Sequence, residues 1–274
     1  MGMLLFNKSG TFIPSNYGLS VGDVIYVVCV GGGGGGCCLG WGASQSGGSG
    51  GASSFGSILT AKGGSGGVAA MEVNGAVQGT VGQSRGGKCY VGPREGMFGG
   101  GGGAGGWYPG MLHSFSSGYD GSTTAPPDPS LSVPGSGGRG GCATNTSALA
   151  GTLEGGGASG EPINNMTGGN AQRGSYGGVG GEGGCGGGYN DNYGASGGGG
   201  AGFGAGGGCG SNDMNPRNSG YAGNSGECAF TSYVLQNTNS IAVTVGAGGT
   251  GGNKSSSTKN CGGNGAPGCV AIWW

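Results

Sequence analysis

The side chains best equipped for contact chemistry in this 274-residue chain lie in its interior. Segment 107–134, WYPGMLHSFSSGYDGSTTAPPDPSLSVP, holds Trp107, Tyr108, His113, Phe115 and Tyr119. Segment 189–193 reads Tyr189, Asn190, Asp191, Asn192, Tyr193, and segment 211–221 carries Asp213, Asn215, Arg217 and Tyr221. A fourth polar stretch runs from 161 to 176. Aromatic rings supply rigid contact area and polar neighbours fix orientation, so this mixture suits recognition of sugars or protein loops. Any one ring would serve equally well as a cap on a miniature core. For the set of loops as a whole, binding is the reading.

Catalysis is not supported. With one histidine, a nucleophile relay would have to use His113, and its acid partners would be Asp120 or Asp128. The stretch 47–51, GGSGG, fits G-x-S-x-G, but a chain with 83 glycines matches such patterns by chance, and the strand-turn-helix context is missing. Matches to GxGxxG fail for the same reason. Ten cysteines without a C-x-x-C pair or a nearby histidine do not make a zinc site. Asp128, Asp191 and Asp213 lack calcium-loop spacing. No metal or cofactor is expected, and the cysteines read as buried free thiols rather than a disulfide framework.

Ten basic and eleven acidic residues give a formal net charge of −1, which leaves no electrostatic footprint for nucleic acid. Arg85 and Arg139 sit in isolated RGG contexts, too few to form a basic tail. No segment approaches the roughly 20 apolar residues of a membrane-spanning helix, and the apolar run in MGMLLFNKSG is too short for a signal peptide. Membrane insertion is not expected.

The elements that must position the loops are unusual. Residues 24–41 read VIYVVCVGGGGGGCCLGW, a strand signal that runs directly into six glycines. Two segments share this grammar. Residues 11–13 and 17–20 lead into 24–30 and then glycine, and 230–235 lead into 241–245 and then glycine, so each reads as a hairpin whose second strand enters a glycine run. A closing strand spans 269–274, with shorter candidates at 55–60, 68–73 and 77–81. Between them lie glycine runs at 99–106, 135–141, 177–188 and 197–208, and no helix-period pattern of useful length.

Glycine and proline reach the range of low-complexity chains, yet 34% apolar residues and only 8% charged residues do not fit disorder. Collagen fails as an ordered alternative, because the Gly-X-Y period is not sustained through the chain and proline numbers only 10. What remains is the extended polyglycine helix, with three residues per turn, a rise of about 3.1 Å and no internal hydrogen bonds. Each N–H and C=O then needs a partner, which neighbouring runs supply if glycine lets them approach closely. The expected fold class is therefore mostly irregular plus β, a packed polyglycine II helix bundle with terminal strands and almost no α-helix. One glycine-rich domain covers 1–274: a β-rich opening segment 1–98, polyglycine helices and loops over 99–226, and closing strands over 227–274.

The stretches GDVIYVVCVGGGGGG, GASSFGSILTAKGG, NSIAVTVGAGGTGG and GGNGAPGCVAIWW, in that order, make the chain similar to the glycine-rich tip domains of bacteriophage tail fibres. That resemblance implies packed polyglycine helices whose distal loops attach the virion to a bacterial cell-surface receptor, an outer-membrane protein loop or a surface glycan. It also implies a non-enzymatic adhesin at the distal tip of the fibre, outside the host when acting and joined to the rest of the tail fibre. It admits a homotrimer, although no heptad segment enforces one. The chain departs from the family in that no N-terminal fibre-attachment segment is recognised. Two other classes carry a similar composition: a structural, matrix-type or antifreeze-type glycine-rich protein, and a glycine-rich receptor ectodomain. Irregular, aromatic-rich loops favour the adhesin, because a repetitive binding face would want a regular repeat.

Overall fold

The computed structural model describes residues 2–39, 45–70, 203–204, 206–207, 210–211, 219–221, 223–253 and 262–274, with strand pieces at 88–91, 96–97, 142–143, 148–149, 162–164 and 167–168. The described residues are strands and irregular chain with no α-helix. One 3-10 turn, Pro14–Tyr17, ends on Gly18 at φ 70, in the left-handed region that glycine enters without strain. The strands are β1 Met3–Phe6, β2 Gly10–Phe12, β3 Val24–Val30, β4 Cys38–Leu39, β5 Ser53–Phe55, β6 Leu59–Ala61, β7 Ala69–Ala70, β8 Lys88–Val91, β9 Gly96–Met97, β10 Cys142–Ala143, β11 Ala148–Leu149, β12 Pro162–Asn164, β13 Thr167–Gly168, β14 Gly210–Ser211, β15 Ser219–Tyr221, β16 Cys228–Val234, β17 Ile241–Thr244 and β18 Cys269–Trp273.

Two four-stranded sheets carry the apolar core, one ordered β1-β18-β3-β16 and the other β2-β17-β5-β6. Strand β3 is VIYVVCV, and β18 is CVAIW with every residue buried. Such continuous apolar strands need cover on both faces, which places them in the middle of their sheet. All pairings in these two sheets are antiparallel, with Val30 opposite Cys228 on one side and Cys269 on the other.

The two hairpins expected from the sequence do not form. Strand β2 pairs with β17 in the second sheet, whereas β3 pairs with β16 and β18 in the first. Residues 17–20 hold the end of the 3-10 turn rather than a strand. A three-residue β2 cannot satisfy a seven-residue strand, and β16 matches β3 over its full length. Each expected hairpin is thus split between the sheets, and buried Leu235 marks the crossing from β16 towards β17. The 55–60 candidate is a hairpin instead, with β5 and β6 joined through Gly56 at φ 52. The 68–73 candidate contains β7, and 77–81 lies outside the described residues.

Ile25, Val27, Cys29, Val270 and Ile272 of the first sheet pack against Phe12, Phe55, Ala61 and Val243 of the second. Alternation sends the other side chains of the first sheet outward. Val28, Val30, Ala271, Trp273 and Cys228 gather there under Phe203, with Tyr26 and Phe230 at their margin. At the end where β3 begins, Gly2 and Trp274 exchange backbone hydrogen bonds of 2.8 and 3.1 Å. A Cβ on Gly2 would collide with the Trp274 ring.

Candidate functional site

The two sheets continue directly into extended glycine-rich runs. Strand β3 leads into 31–36, β6 into 62–67 and β17 into 246–252. In the reverse sense, 47–51 leads towards β5, 223–227 into β16 and 262–268 into β18. A seventh segment, with Gly204, Gly206 and Gly207 described, follows Phe203 on the outer face of the first sheet.

Run 31–36 is the hub, and its hydrogen bonds repeat every three residues. Gly31 and Gly34 donate to Glu227 and Asn224, Gly32 and Gly35 to Gly51 and Gly48, and Gly33 and Gly36 to Ala266 and Gly263, all at 2.8 to 2.9 Å. Its carbonyls receive the other three neighbours: Gly64 and Gly67 donate to Gly32 and Gly35, Gly249 and Gly252 to Gly33 and Gly36, and Gly207 to Gly34. Partner numbers fall along the three acceptor runs and rise along the donor runs, so the former are antiparallel to the hub. Neighbours also bond one another. Gly47 and Gly50 donate to Gly67 and Gly64, Gly48 and Gly51 to Thr250 and Ala247, Gly223 and Gly226 to Gly207 and Gly204, and Gly265 and Gly268 to Gly249 and Gly246. Asn224 bonds Ser65, and Gly204 bonds Pro267, which closes the circle around the hub.

This packing leaves no room for side chains in the hub. A Cβ on Gly31 or Gly34 would fall on the carbonyl of Lys62 or Ser65, and one on Gly32 or Gly35 on that of Ala247 or Thr250. Run 31–36 is accordingly all glycine and fully buried. Surrounding runs touch the hub or each other through two residues in three, and the third faces out. Ser46, Ser49 and Ala52 are exposed in one run, Ala247, Thr250 and Asn253 in another, and Asn264 and Pro267 in a third. Lys62, Ser65 and Val68 hold the same phase, with Lys62 exposed and the other two half-buried.

Side chains complete the network where a run lacks a backbone partner. Ser53 Oγ accepts from the Gly246 N–H at 2.9 Å, Asn264 Oδ1 from Gly251 at 2.8 Å, and Glu227 Oε2 from Lys62 at 2.9 Å. The thiols beneath this network are chemically quiet. Burial pushes Cys29 up to about 12, and burial, with smaller contributions from Cys29 and Glu227, pushes Cys228 to about 12. Both are buried free thiols, as the sequence leads one to expect. Cys38 departs from that expectation and is disulfide-bonded.

Of the predicted contact residues, Tyr221 is described. It ends β15, opposite Lys88 of β8, in a sheet ordered β7-β15-β8-β9. Trp107, Tyr108, His113, Phe115, Tyr119, Tyr189, Asn190, Asp191, Tyr193 and Arg217 lie outside the described residues. So do the glycine runs 99–106, 135–141 and 177–188, whereas 197–208 contributes Gly204, Gly206 and Gly207. The sequence reading missed the outward row of Ser46, Ser49, Lys62, Thr250 and Asn264. Its signal was present as x-G-G triplets in constant phase: SGGSGGA, KGGSGGV and AGGTGGN. Comparisons with protein-family models, with curated proteins and with solved structures returned no match to this chain.

Proposed function

We propose that the glycine runs pack as polyglycine II helices and that this rigid bundle is the scaffold of a non-enzymatic receptor-binding protein of a bacteriophage tail fibre. One observation carries the reading. The runs that leave the sheets end at 36, 67, 207 and 252, and those that return begin at 47, 223 and 262. Hence the connections 37–46, 208–222 and 253–261 join run ends remote from the sheets, and the long connection 68–202 starts there. Arg217 and Tyr221 belong to the second of these, and the aromatic contact residues from Trp107 to Tyr193 belong to the last. The three-residue period of hydrogen bonds supports the polyglycine II assignment, since that helix has three residues per turn.

The mechanism is rigid presentation of loops to a protein or glycan on the bacterial surface. Several copies on one virion would convert weak single-site contact into lasting attachment. Binding of the purified, fluorescently labelled chain to a panel of bacterial strains tests the reading, with a Gly-Ser replacement of 107–119 as the control. Saturable, strain-specific binding that the replacement loses is the expected result. A folded protein that binds no strain would move the weight to a matrix-type structural protein. That alternative draws on the regular outward row of Ser46, Ser49 and Ala52 beside Ala247 and Thr250.

A further inference from the structure

At one end the glycine runs are held by the strands they enter, and at the other the hub finishes on Cys38. Several segments meet there. Cys38 donates its N–H to the Gln45 carbonyl at 2.8 Å and accepts from the Gln45 N–H at 2.9 Å, and it stands opposite Gly210 in a parallel pair. A Cβ on Gly249 would meet the Gly35 nitrogen and the Gly48 carbonyl, and three residues on, one on Gly252 would meet the Cys38 nitrogen and the Gln45 carbonyl. The period of the hub therefore continues through Cys38. Cβ positions on Gly32 and Gly35 fall on the carbonyls of Ala247 and Thr250, and Cys38 is the next residue of that phase. Its side chain thus leaves the hub towards the run that ends at 252. On that side Gly262 donates to the Gly252 carbonyl at 3.1 Å, and the residue before Gly262 in the chain is Cys261. Cys38 is buried and disulfide-bonded, unlike the free thiols of Cys29 and Cys228 beneath the sheets.

We propose that Cys38 is joined to Cys261 and that this bond is a redox lock on the loop-bearing end of the bundle. Connections 37–46, 208–222 and 253–261 all leave or return at this end, where backbone hydrogen bonds alone would let the last triplet of each run fray. A covalent tie between the hub and an adjacent run does there what the sheets do at the other end. The bond closes by exchange with a low-molecular-weight disulfide. One protein thiolate attacks that disulfide and displaces a thiolate, the second protein thiolate displaces the other half, and the oxidant leaves as two thiols carrying the two electrons and two protons. In a reducing cytosol the pair stays open, and in an oxidising medium it closes. The consequence for attachment rests on the receptor-binding reading: the loops reach their binding arrangement only in the closed form.

Peptide mapping of the full chain, unfolded and alkylated without reduction before digestion, tests the bond. A Cys38–Cys261 linked peptide is expected, and a Cys38 that is alkylated or linked elsewhere would overturn the proposal. Hydrogen exchange then tests the lock, with a Cys38→Ser/Cys261→Ser variant beside the parent folded with and without a phosphine reductant. The variant and the reduced parent should exchange the amides of Gly36, Cys38, Gln45 and Gly252 at least about tenfold faster than the oxidised parent, with Val27, Val28 and Ile272 unchanged. Equal exchange in all three samples would overturn the lock, and so would an equal rise in the sheets, which would make the bond a general staple. Binding to a panel of bacterial strains completes the test. Where the oxidised parent binds, the variant should bind at least about tenfold more weakly, and undiminished binding would overturn the lock. An oxidised parent that binds no strain tells against the receptor-binding reading instead, while mapping and exchange still decide the bond and its local effect.

Discussion

Gly32 donates its N–H to the Gly51 carbonyl at 2.9 Å, and three residues on, Gly35 donates to Gly48 at the same distance. Two runs of opposite direction are thereby stitched at every third residue. Between the stitches, the hub turns its remaining groups to other neighbours. No side chain enters this contact, so the specificity of the pairing lies in the absence of Cβ atoms.

Gly34→Ala is therefore expected to be severe. Its Cβ would fall on the Ser65 carbonyl, and backbone held by hydrogen bonds on all sides cannot retreat. Overpacking of this kind costs about 3 kcal/mol. Ser49→Ala, on the exposed row of the neighbouring run, should stay within about 0.5 kcal/mol. Urea denaturation of the two variants separates them, and equal midpoints would contradict the close packing of the hub.

Phe203→Ala should destabilise the protein by about 3 kcal/mol, since the ring is 9% exposed and covers Val28, Val30 and Ala271. Denaturation compared with Phe203→Leu, which retains most of the cover, checks the assignment. The leucine variant should recover at least half of the loss.

Alkaline pH should weaken the fold through its buried thiols. Cys29 and Cys228 titrate at about 12 in the folded state against an ordinary 9.0. The folded chain holds these protons more tightly than the unfolded chain, so their stabilising contribution is complete below pH 9 and is lost as pH rises towards 12. Each thiol adds a slope of up to about 1.4 kcal/mol per pH unit in that window. A Cys29→Ala/Cys228→Ala double variant, denatured at pH 8 and pH 10.5, should show a smaller alkaline loss than the parent. At pH 8, iodoacetamide should label neither residue until the chain unfolds.

The long apolar strands were legible in the sequence, whereas their partners were not. The edge strand Met3–Phe6 was not anticipated, and residues 17–20 were read as a strand where a 3-10 turn ends. VIYVVCV and CVAIW announce themselves by unbroken apolar character, and the structure places both at the centre of one sheet. Nothing local in GTF says that it will pair with IAVT across the chain rather than with its neighbour in sequence. Register of that kind depends on which long strand is left needing a partner. Among the described residues, run 31–36 draws its hydrogen-bond partners from neighbouring runs as the sequence reading expects, whereas runs 99–106, 135–141 and 177–188 lie outside the described residues. GGSGG at 47–51, discounted as a chance hydrolase match, is one of the hub's partners. Glycine density hid the phase, because adjacent glycines do not reveal which residue faces out until a serine or threonine falls at every third position. Most of the contact residues lie in 68–202, and those from Trp107 to Tyr193 fall outside the described residues.

A hub made of peptide groups has a thermal consequence that a hydrocarbon core lacks. Unfolding apolar surface raises the heat capacity, whereas exposing amides lowers it. In this protein the apolar sandwich and the buried glycine backbone pull in opposite directions on that quantity. The stability curve is flattened as a result, and the fold loses less on cooling than an equally stable protein held by side chains alone.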